Sequence, residues 1–149
     1  MAGRANNLLT FSVVVTTTDE VTLEVRLAWQ SWGGVIEVAA NRAALAQFAS
    51  EVRDFASHHR TLASLVAGSP GSTELSLTIA EYGRTRKAAV GAALAQPTSP
   101  HGTLNWPAAL KIQVPTEHGL LGEFGADLAQ LLAADSGTAS LRLLARWPD

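Results

Sequence analysis

The chain contains no cysteine among its 149 residues. A disulfide framework, a thiolate nucleophile and a thiolate-ligated zinc site are therefore excluded, and the absence is compatible with a reducing compartment. A large excess of either charge is also absent, because eleven basic and thirteen acidic residues give a net charge of −2. A balance of this kind provides no field that would collect nucleic acid or an anionic membrane, so neither is expected as a partner.

Long hydrophobic runs are absent as well. The apolar stretch from Leu8 to Val15 is interrupted by Thr10 and Ser12, far short of the roughly 18 apolar residues that a membrane span needs. The first nine residues have no apolar core of the kind that a signal peptide carries. These features predict a soluble, cytoplasmic protein.

Alternation of apolar and polar residues is the dominant pattern that the chain does have. It is strictest from Val21 to Gln30, and period-2 alternation indicates a strand with one buried face. Similar patterns predict further strands at Leu9–Thr16, Val35–Ala40, Leu75–Ile79, Lys87–Leu94, Leu110–Val114 and Leu141–Trp147. The segment Ser31-Trp32-Gly33-Gly34 is expected to form a tight connection before the strand Val35–Ala40, because its paired glycines allow positive φ angles.

Two helices are expected between the strands. Asn41 is a good N-cap, and from Leu45 to Ala56 the apolar residues recur at helical spacing. Leu121–Leu132 predicts a second helix, weakened at its start by three glycines, and Thr61–Ala67 is compatible with one or two further helical turns. The sequence thus predicts a single α+β domain over residues 1–149, with a mostly antiparallel sheet of six to seven strands and two helices packed on one face.

No catalytic or metal-binding motif is apparent, so no catalytic residue, metal ligand or cofactor is predicted. The adjacent His58 and His59 cannot occupy one helix face as an i, i+4 metal pair would, and solvated residues at a helix end are the favoured interpretation. His101 and His118 lie in or beside predicted loops, where an approach to other groups in space is conceivable but unsupported by any spacing.

Aromatic residues in turns provide the candidate binding surface. Trp32 and Trp106 lie in segments that contain glycine or proline, and Tyr82 precedes Gly83 and Arg84. Aromatic and arginine side chains are enriched at protein interfaces and dominate their energetics. Trp32, Tyr82, Arg84 and Trp106 are accordingly predicted to bind a protein partner, although caps on the open ends of the core remain an alternative for the two tryptophans.

The passage from Val25 to Phe55 adds a resemblance. A Gly-Gly-Val-Ile-Glu-Val strand leads there into the helix Ala-Leu-Ala-Gln-Phe-Ala-Ser-Glu-Val-Arg-Asp-Phe. This order is similar to Wap-type immunity proteins of bacterial polymorphic toxin systems and related small α+β proteins, over roughly Val21 to Leu94. The resemblance implies a non-enzymatic protein that neutralises a cognate toxin by binding it, and it carries no individual functional residue.

Three functions are therefore open at the level of sequence. The first is a protein-binding module, with an immunity protein as the leading form. The second is a small-molecule-binding protein or enzyme with a pocket between helix and sheet, gated by the loop from Gln96 to Pro107. The third is a module that self-associates through exposed edge strands.

Overall fold

Eight strands and two helices make up the fold in a computed structural model that describes residues 7–69, 72–96 and 108–148. In chain order they are β1 (Leu8–Thr16), β2 (Glu20–Trp29), β3 (Trp32–Asn41), α1 (Arg42–Ala56), β4 (Leu62–Gly68), β5 (Glu74–Tyr82), β6 (Lys87–Gln96), β7 (Ala108–Thr116), α2 (His118–Ala134) and β8 (Thr138–Arg142). Neither helix has the combination of length and apolar character required to cross a membrane.

The strands form two antiparallel sheets, ordered β3-β2-β1-β8 and β4-β5-β6-β7. The prediction of an α+β fold with antiparallel strands and two helices is confirmed, whereas the predicted single sheet of six to seven strands only roughly matches eight strands in two sheets. Alternating apolar residues specify that a strand has a buried face, and they do not specify which strands share a sheet. The inner faces of both sheets and the apolar stripes of both helices bury their side chains in one core.

Strand β3 crosses one end of the second sheet. Gly34 lies against the side chains of Leu94 and Leu110, because a Cβ built there would be 3.4 Å from Leu110 Cδ2. One residue later, Val35 O accepts a hydrogen bond from Gln96 Nε2 (3.4 Å). At the opposite end of that sheet, where β5 leads into β6, Glu81 faces His118 of α2 and Tyr82 contacts Trp147 of the C-terminal segment.

The turn before β3 differs from the prediction. Trp29 pairs with Trp32, so the turn consists of Gln30 and Ser31, and Gln30 has the positive φ of 57°. Gly33 and Gly34 belong to the strand. Their lack of side chains allows close packing instead of a turn, since a Cβ at Gly33 would lie 3.1 Å from Leu27 O.

The first helix begins as predicted, with the Asn41 side chain accepting from Ala44 N at 3.0 Å. Gly125 of the second helix has a packing role that the sequence did not reveal. A Cβ at Gly125 would lie 2.7 Å from Arg53 Cγ and 3.3 Å from Ala49 O, so this glycine lets α2 approach α1 closely. Phe124 on the same helix contacts Phe11 of β1 edge to face, with ring centroids 5.6 Å apart.

Two further predictions need correction. The segment Thr61–Ala67 is not helical, because β4 covers most of it, with Ala63, Leu65 and Ala67 buried. The last strand, β8, ends at Arg142 and does not extend to Trp147. Beyond it the chain is held by other hydrogen bonds, from Leu144 N to Pro115 O (2.8 Å) and from Trp29 Nε1 to Leu144 O (2.7 Å).

Candidate functional sites

The outer face of the second sheet is built from unusually small and uncharged side chains. Three successive rows of paired residues cross the four strands of this sheet, and we call them together the small-residue face. From β4 to β7 the rows are Leu62–Ala80–Ala89–Pro115, Ser64–Thr78–Gly91–Gln113 and Val66–Ser76–Ala93–Lys111. Lys111, on the edge strand β7, is the one charged residue in these rows.

The outer face of the first sheet has the composition that solvent normally favours. It carries Glu24 and Arg26 on β2, which form an ion pair at 3.4 Å, and Glu37, which is paired with Glu24 on the neighbouring strand. An antiparallel sheet with one solvated face usually alternates apolar residues inside with polar residues outside. The three rows of the small-residue face are also partly polar, but they carry fewer charges, and Glu74 and Lys87 flank them at the two ends.

Two exposed aliphatic residues stand at the β4 edge of the small-residue face. Val66 is 73% exposed and Leu62 is 52% exposed. Two depressions lie on the face, one of about 350 Å³ around Thr78 and Gly91 with Trp147 in its wall, and one of about 240 Å³ beside Val66 with Glu74 in its wall. A partner surface could therefore insert side chains beside an apolar edge.

Tyr82 and Arg84 lie at one end of this face. Tyr82 is the last residue of β5 and pairs with Lys87, while Arg84 is exposed in the following turn. The Tyr82 ring contacts the Trp147 ring edge-on at 5.0 Å. Its hydroxyl is buried without a hydrogen-bond partner among the described residues, and removal from water raises the pKa of this phenol above its ordinary value of 10.0.

Trp32 lies elsewhere. It is 61% exposed at the start of β3, and Val35 of the same strand contacts Gln96, the last residue of β6. Tyr82 is paired with Lys87, the first residue of β6, so the two predicted aromatic residues lie near opposite ends of β6 and do not share one surface. Trp106, the fourth predicted binding residue, lies outside the described residues, as does His101.

A cluster of three side chains lies where α1 ends and α2 begins, near the start of β6. His58 follows α1, His118 begins α2, and Glu81 is the penultimate residue of β5. His118 Nε2 is 3.7 Å from Glu81 Oε1, and one ligand atom from each of the three residues lies within 4.8 Å of the others. The interval between His118 and Glu81 is too long for a hydrogen bond, so no direct bond joins them.

The His118 ring is held by stacking. Phe55 stacks on it at a centroid distance of 5.1 Å, and His58 stacks on it at 4.3 Å. The side chains of His118 and Glu81 are 18% and 14% exposed, whereas His58 is exposed. The cluster therefore combines two side chains fixed in the protein with one that borders on solvent.

A cleft of about 480 Å³ opens beside these two histidines. Its wall includes the cationic residues Arg86 and Lys87 and the acidic residue Glu117. The cleft is bordered by the end of α1, the start of α2, the turn before β6 and the C-terminal segment. Of the predicted gating loop the structure describes only Gln96, which lies at the end of β6 away from Lys87, and residues 97–107 lie outside the described residues.

Sequence reasoning missed both sites for identifiable reasons. The outward residues of β4 look apolar like the inward ones, so they concealed the face that they build. Glu81 follows His58 by 23 residues and His118 follows Glu81 by 37, so no local spacing links the three. The sequence did contain one signal for the second site, because Glu81 is a charged residue that continues the buried register of Leu77 and Ile79.

In comparisons with known proteins, no family model, no curated protein and no solved structure matches this chain. Function is accordingly inferred from the small-residue face and from the His58–Glu81–His118 cluster.

Proposed function

We propose that the protein is a non-enzymatic binding module whose small-residue face covers a surface of a partner protein. The form we favour is an immunity protein that blocks a cognate toxin by occlusion, in line with the resemblance of Val21–Leu94 to Wap-type immunity proteins. The observation that supports the proposal is the outer face of the second sheet, whose three central rows contain one charged residue, Lys111, whereas the outer face of the first sheet carries Glu24, Arg26 and Glu37.

The size of the face suits this role. Four strands about 4.8 Å apart and three rows about 6.6 Å apart give roughly 19 by 20 Å, or on the order of 380 Å². A standard interface buries about 800 Å² on each partner, so the face provides about half of one side. Because its rows are nearly uncharged, covering them with a partner requires little desolvation of ions.

The edges of the face have the residue types that anchor interfaces. Leu62 and Val66 offer exposed aliphatic side chains along β4, and Tyr82 and Arg84 lie at one end. Hot-spot residues at interfaces are enriched in tyrosine and arginine and lie beside well-packed apolar contacts. Trp32, on the other sheet, belongs to this interface only if the partner also wraps around the end of the molecule.

The test is a Thr78→Glu substitution at the centre of the face. Thr78 lies between Ser64 and Gly91, so a carboxylate there would be buried without a countercharge by any partner that covers the sheet. Thr10 provides the matched control, because it is also a half-buried threonine facing outward on a central strand, between Arg26 and Ser140 of the first sheet. Wild type, Thr78→Glu and Thr10→Glu would be used as bait in lysate of the source cells, with quantitative mass spectrometry.

We expect one protein to be captured stoichiometrically by wild type and by Thr10→Glu, and to be reduced at least tenfold with Thr78→Glu. For the immunity form, the captured protein should arrest growth when expressed alone and lose that effect when this chain is co-expressed. Equal capture by both variants would place the interface elsewhere. Sedimentation at high concentration distinguishes the remaining occupant, a second copy of this chain, because only self-association would yield a dimer that Thr78→Glu dissociates.

A second candidate function is small-molecule binding in the cleft beside His118. The supporting observation is its position and volume, since about 480 Å³ lies in the range of ligand pockets, and its wall combines apolar residues with a few charged groups. The cations Arg86 and Lys87 favour an anionic ligand.

Thermal shift against a set of anionic metabolites checks this candidate. A ligand present at about 100 times its Kd adds about 2.7 kcal/mol to the free energy of unfolding, which in a chain of this length raises the Tm by several degrees. The shift should disappear with Arg86→Ala, whereas Arg84→Ala, in the same turn but outside the cleft wall, should retain it. A screen without any shift would remove this candidate.

A further inference from the structure

We propose that His58, Glu81 and His118 bind one divalent transition-metal ion, with Zn²⁺ as the best match. Two imidazoles and one carboxylate form a ligand set that Zn²⁺ uses when a further coordination position stays open. Mg²⁺ and Ca²⁺ prefer six or more oxygen ligands, which this cluster does not offer. The site is separate from the small-residue face, and the proposal does not depend on the function proposed above.

The distances require little change in the two fixed ligands. Zn²⁺ bonds of about 2.0–2.1 Å in a tetrahedron place ligand atoms roughly 3.4 Å apart. His118 Nε2 and Glu81 Oε1 are already 3.7 Å apart. A metal between them would need these atoms to approach by a few tenths of an ångström.

The hydrogen-bonding state of His118 points to a missing partner. Its Nε2 atom is shielded from solvent and has no hydrogen bond with the described residues, although a carboxylate faces it. Buried polar atoms in native proteins are nearly always paired, and an exception commonly marks the place of an ion or a water molecule. A metal ion would satisfy the imidazole nitrogen and the carboxylate oxygen together.

The third ligand is the one that must move. Stacked rings direct their nitrogen lone pairs side by side, so the His58 ring has to turn before its nitrogen can point at an ion shared with His118. His58 is exposed, which leaves room for that rotation. The stacked arrangement is thus the metal-free form, and metal binding exchanges the ring contact for coordination.

The backbone of His58 supports a specific role for this side chain. The helix end forms a Schellman motif, with His58 N donating to Phe55 O and His59 N donating to Asp54 O, and His58 has a φ of 64°. Glycine is preferred at that position because the left-handed conformation is unfavourable for residues with a Cβ. Histidine thus stands where glycine would have less backbone strain, and its side chain is one of the three candidate ligands.

The charges around the cleft make the carboxylate decisive. Arg86 and Lys87 line the cleft and disfavour a cation, while Glu117 offsets part of their effect. Glu81 is the one carboxylate within the cluster itself, so neutralising it should lower metal affinity strongly.

The test is titration of the full, tag-free chain with Zn²⁺ after treatment with a chelator, followed by calorimetry and by the change in Tm. We expect one equivalent to bind and to raise the Tm. Loss of an outer-shell partner alone typically lowers metal affinity by about 10–100-fold, so loss of a ligand in His58→Gly or Glu81→Gln should lower it at least ~100-fold. His59→Ala is the matched control, because it removes the adjacent histidine, which is outside the cluster, and should leave affinity unchanged.

His58→Gly also separates loss of a ligand from loss of folding. Glycine adopts the observed φ without strain, so the metal-free variant should be at least as stable as wild type to thermal unfolding. Co²⁺, which reports tetrahedral coordination through visible absorption, should give a spectrum with wild type and with His59→Ala but not with His58→Gly. The proposal is overturned if wild type shows neither heat nor a Tm shift with Zn²⁺, or if His58→Gly and His59→Ala bind it equally.

Discussion

Gly68→Ala is expected to cost about 3 kcal/mol or more of the free energy of unfolding. Gly68 ends β4 with a φ of 83°, and a Cβ added there would lie 1.9 Å from Thr73 O and 3.0 Å from Thr73 C. The left-handed conformation costs a non-glycine residue roughly 1–2 kcal/mol, and overpacking against rigid neighbours adds roughly 1–3 kcal/mol. The clashing atoms are backbone atoms of Thr73, directly before β5, so no side-chain rotation relieves the clash and the hairpin end has to open.

Gly83→Ala isolates the two causes. Gly83 also has a positive φ, 71°, but no atom lies within 4 Å of the position that its Cβ would occupy. It should therefore lose only the conformational part, about 1 kcal/mol. Urea denaturation of the two variants beside wild type measures the difference. Losses of similar size would mean that the β4–β5 hairpin accommodates the added carbon and that its end is looser than the geometry indicates.

The hairpin also shows where sequence reasoning succeeds and where it fails. Strands β2 and β5 were predicted because polar residues separate their buried ones, as Thr22 and Glu24 do in β2. In β4 the exposed positions are Leu62, Ser64 and Val66, so alternation disappears and a short apolar run looks as helical as it does extended. The residues that defeated the prediction are those that give the sheet its apolar outer face.

The candidate sites divide in a similar way. Tyr82 and Arg84 were singled out by residue type, and the fold places them at the end of the small-residue face. That face itself could not be predicted, because its rows join strands whose order in the sheet is set by tertiary packing. His58 and His118 were considered one by one, and only the packing of α1 against α2 brings their rings to 4.3 Å.

Helix α2 links the histidine cluster to the hydrophobic core, since it begins at His118 and places Phe124 in the core. Phe124→Ala is expected to cost about 3–5 kcal/mol, because the side chain is fully buried and its ring meets that of Phe11 at an interplanar angle of 88°. Removing the ring leaves a cavity that the close contact between α1 and α2 at Gly125 prevents from collapsing. In a chain of this length the Tm should fall by roughly 10 °C, as measured by calorimetry.

Two controls assign that loss to the aromatic contact and not to the helix. Asp127→Ala lies on the exposed side of α2 and should stay within about 0.5 kcal/mol of wild type. A double-mutant cycle with Phe11→Leu and Phe124→Leu should give a coupling energy of about 0.5–1.5 kcal/mol, as expected for an edge-to-face pair. A coupling near zero, with Phe124→Ala costing less than about 1 kcal/mol, would show that α2 is not anchored on the first sheet through this pair. Because His118 begins the same helix, such a result would also remove the rigid support that holds it against Glu81.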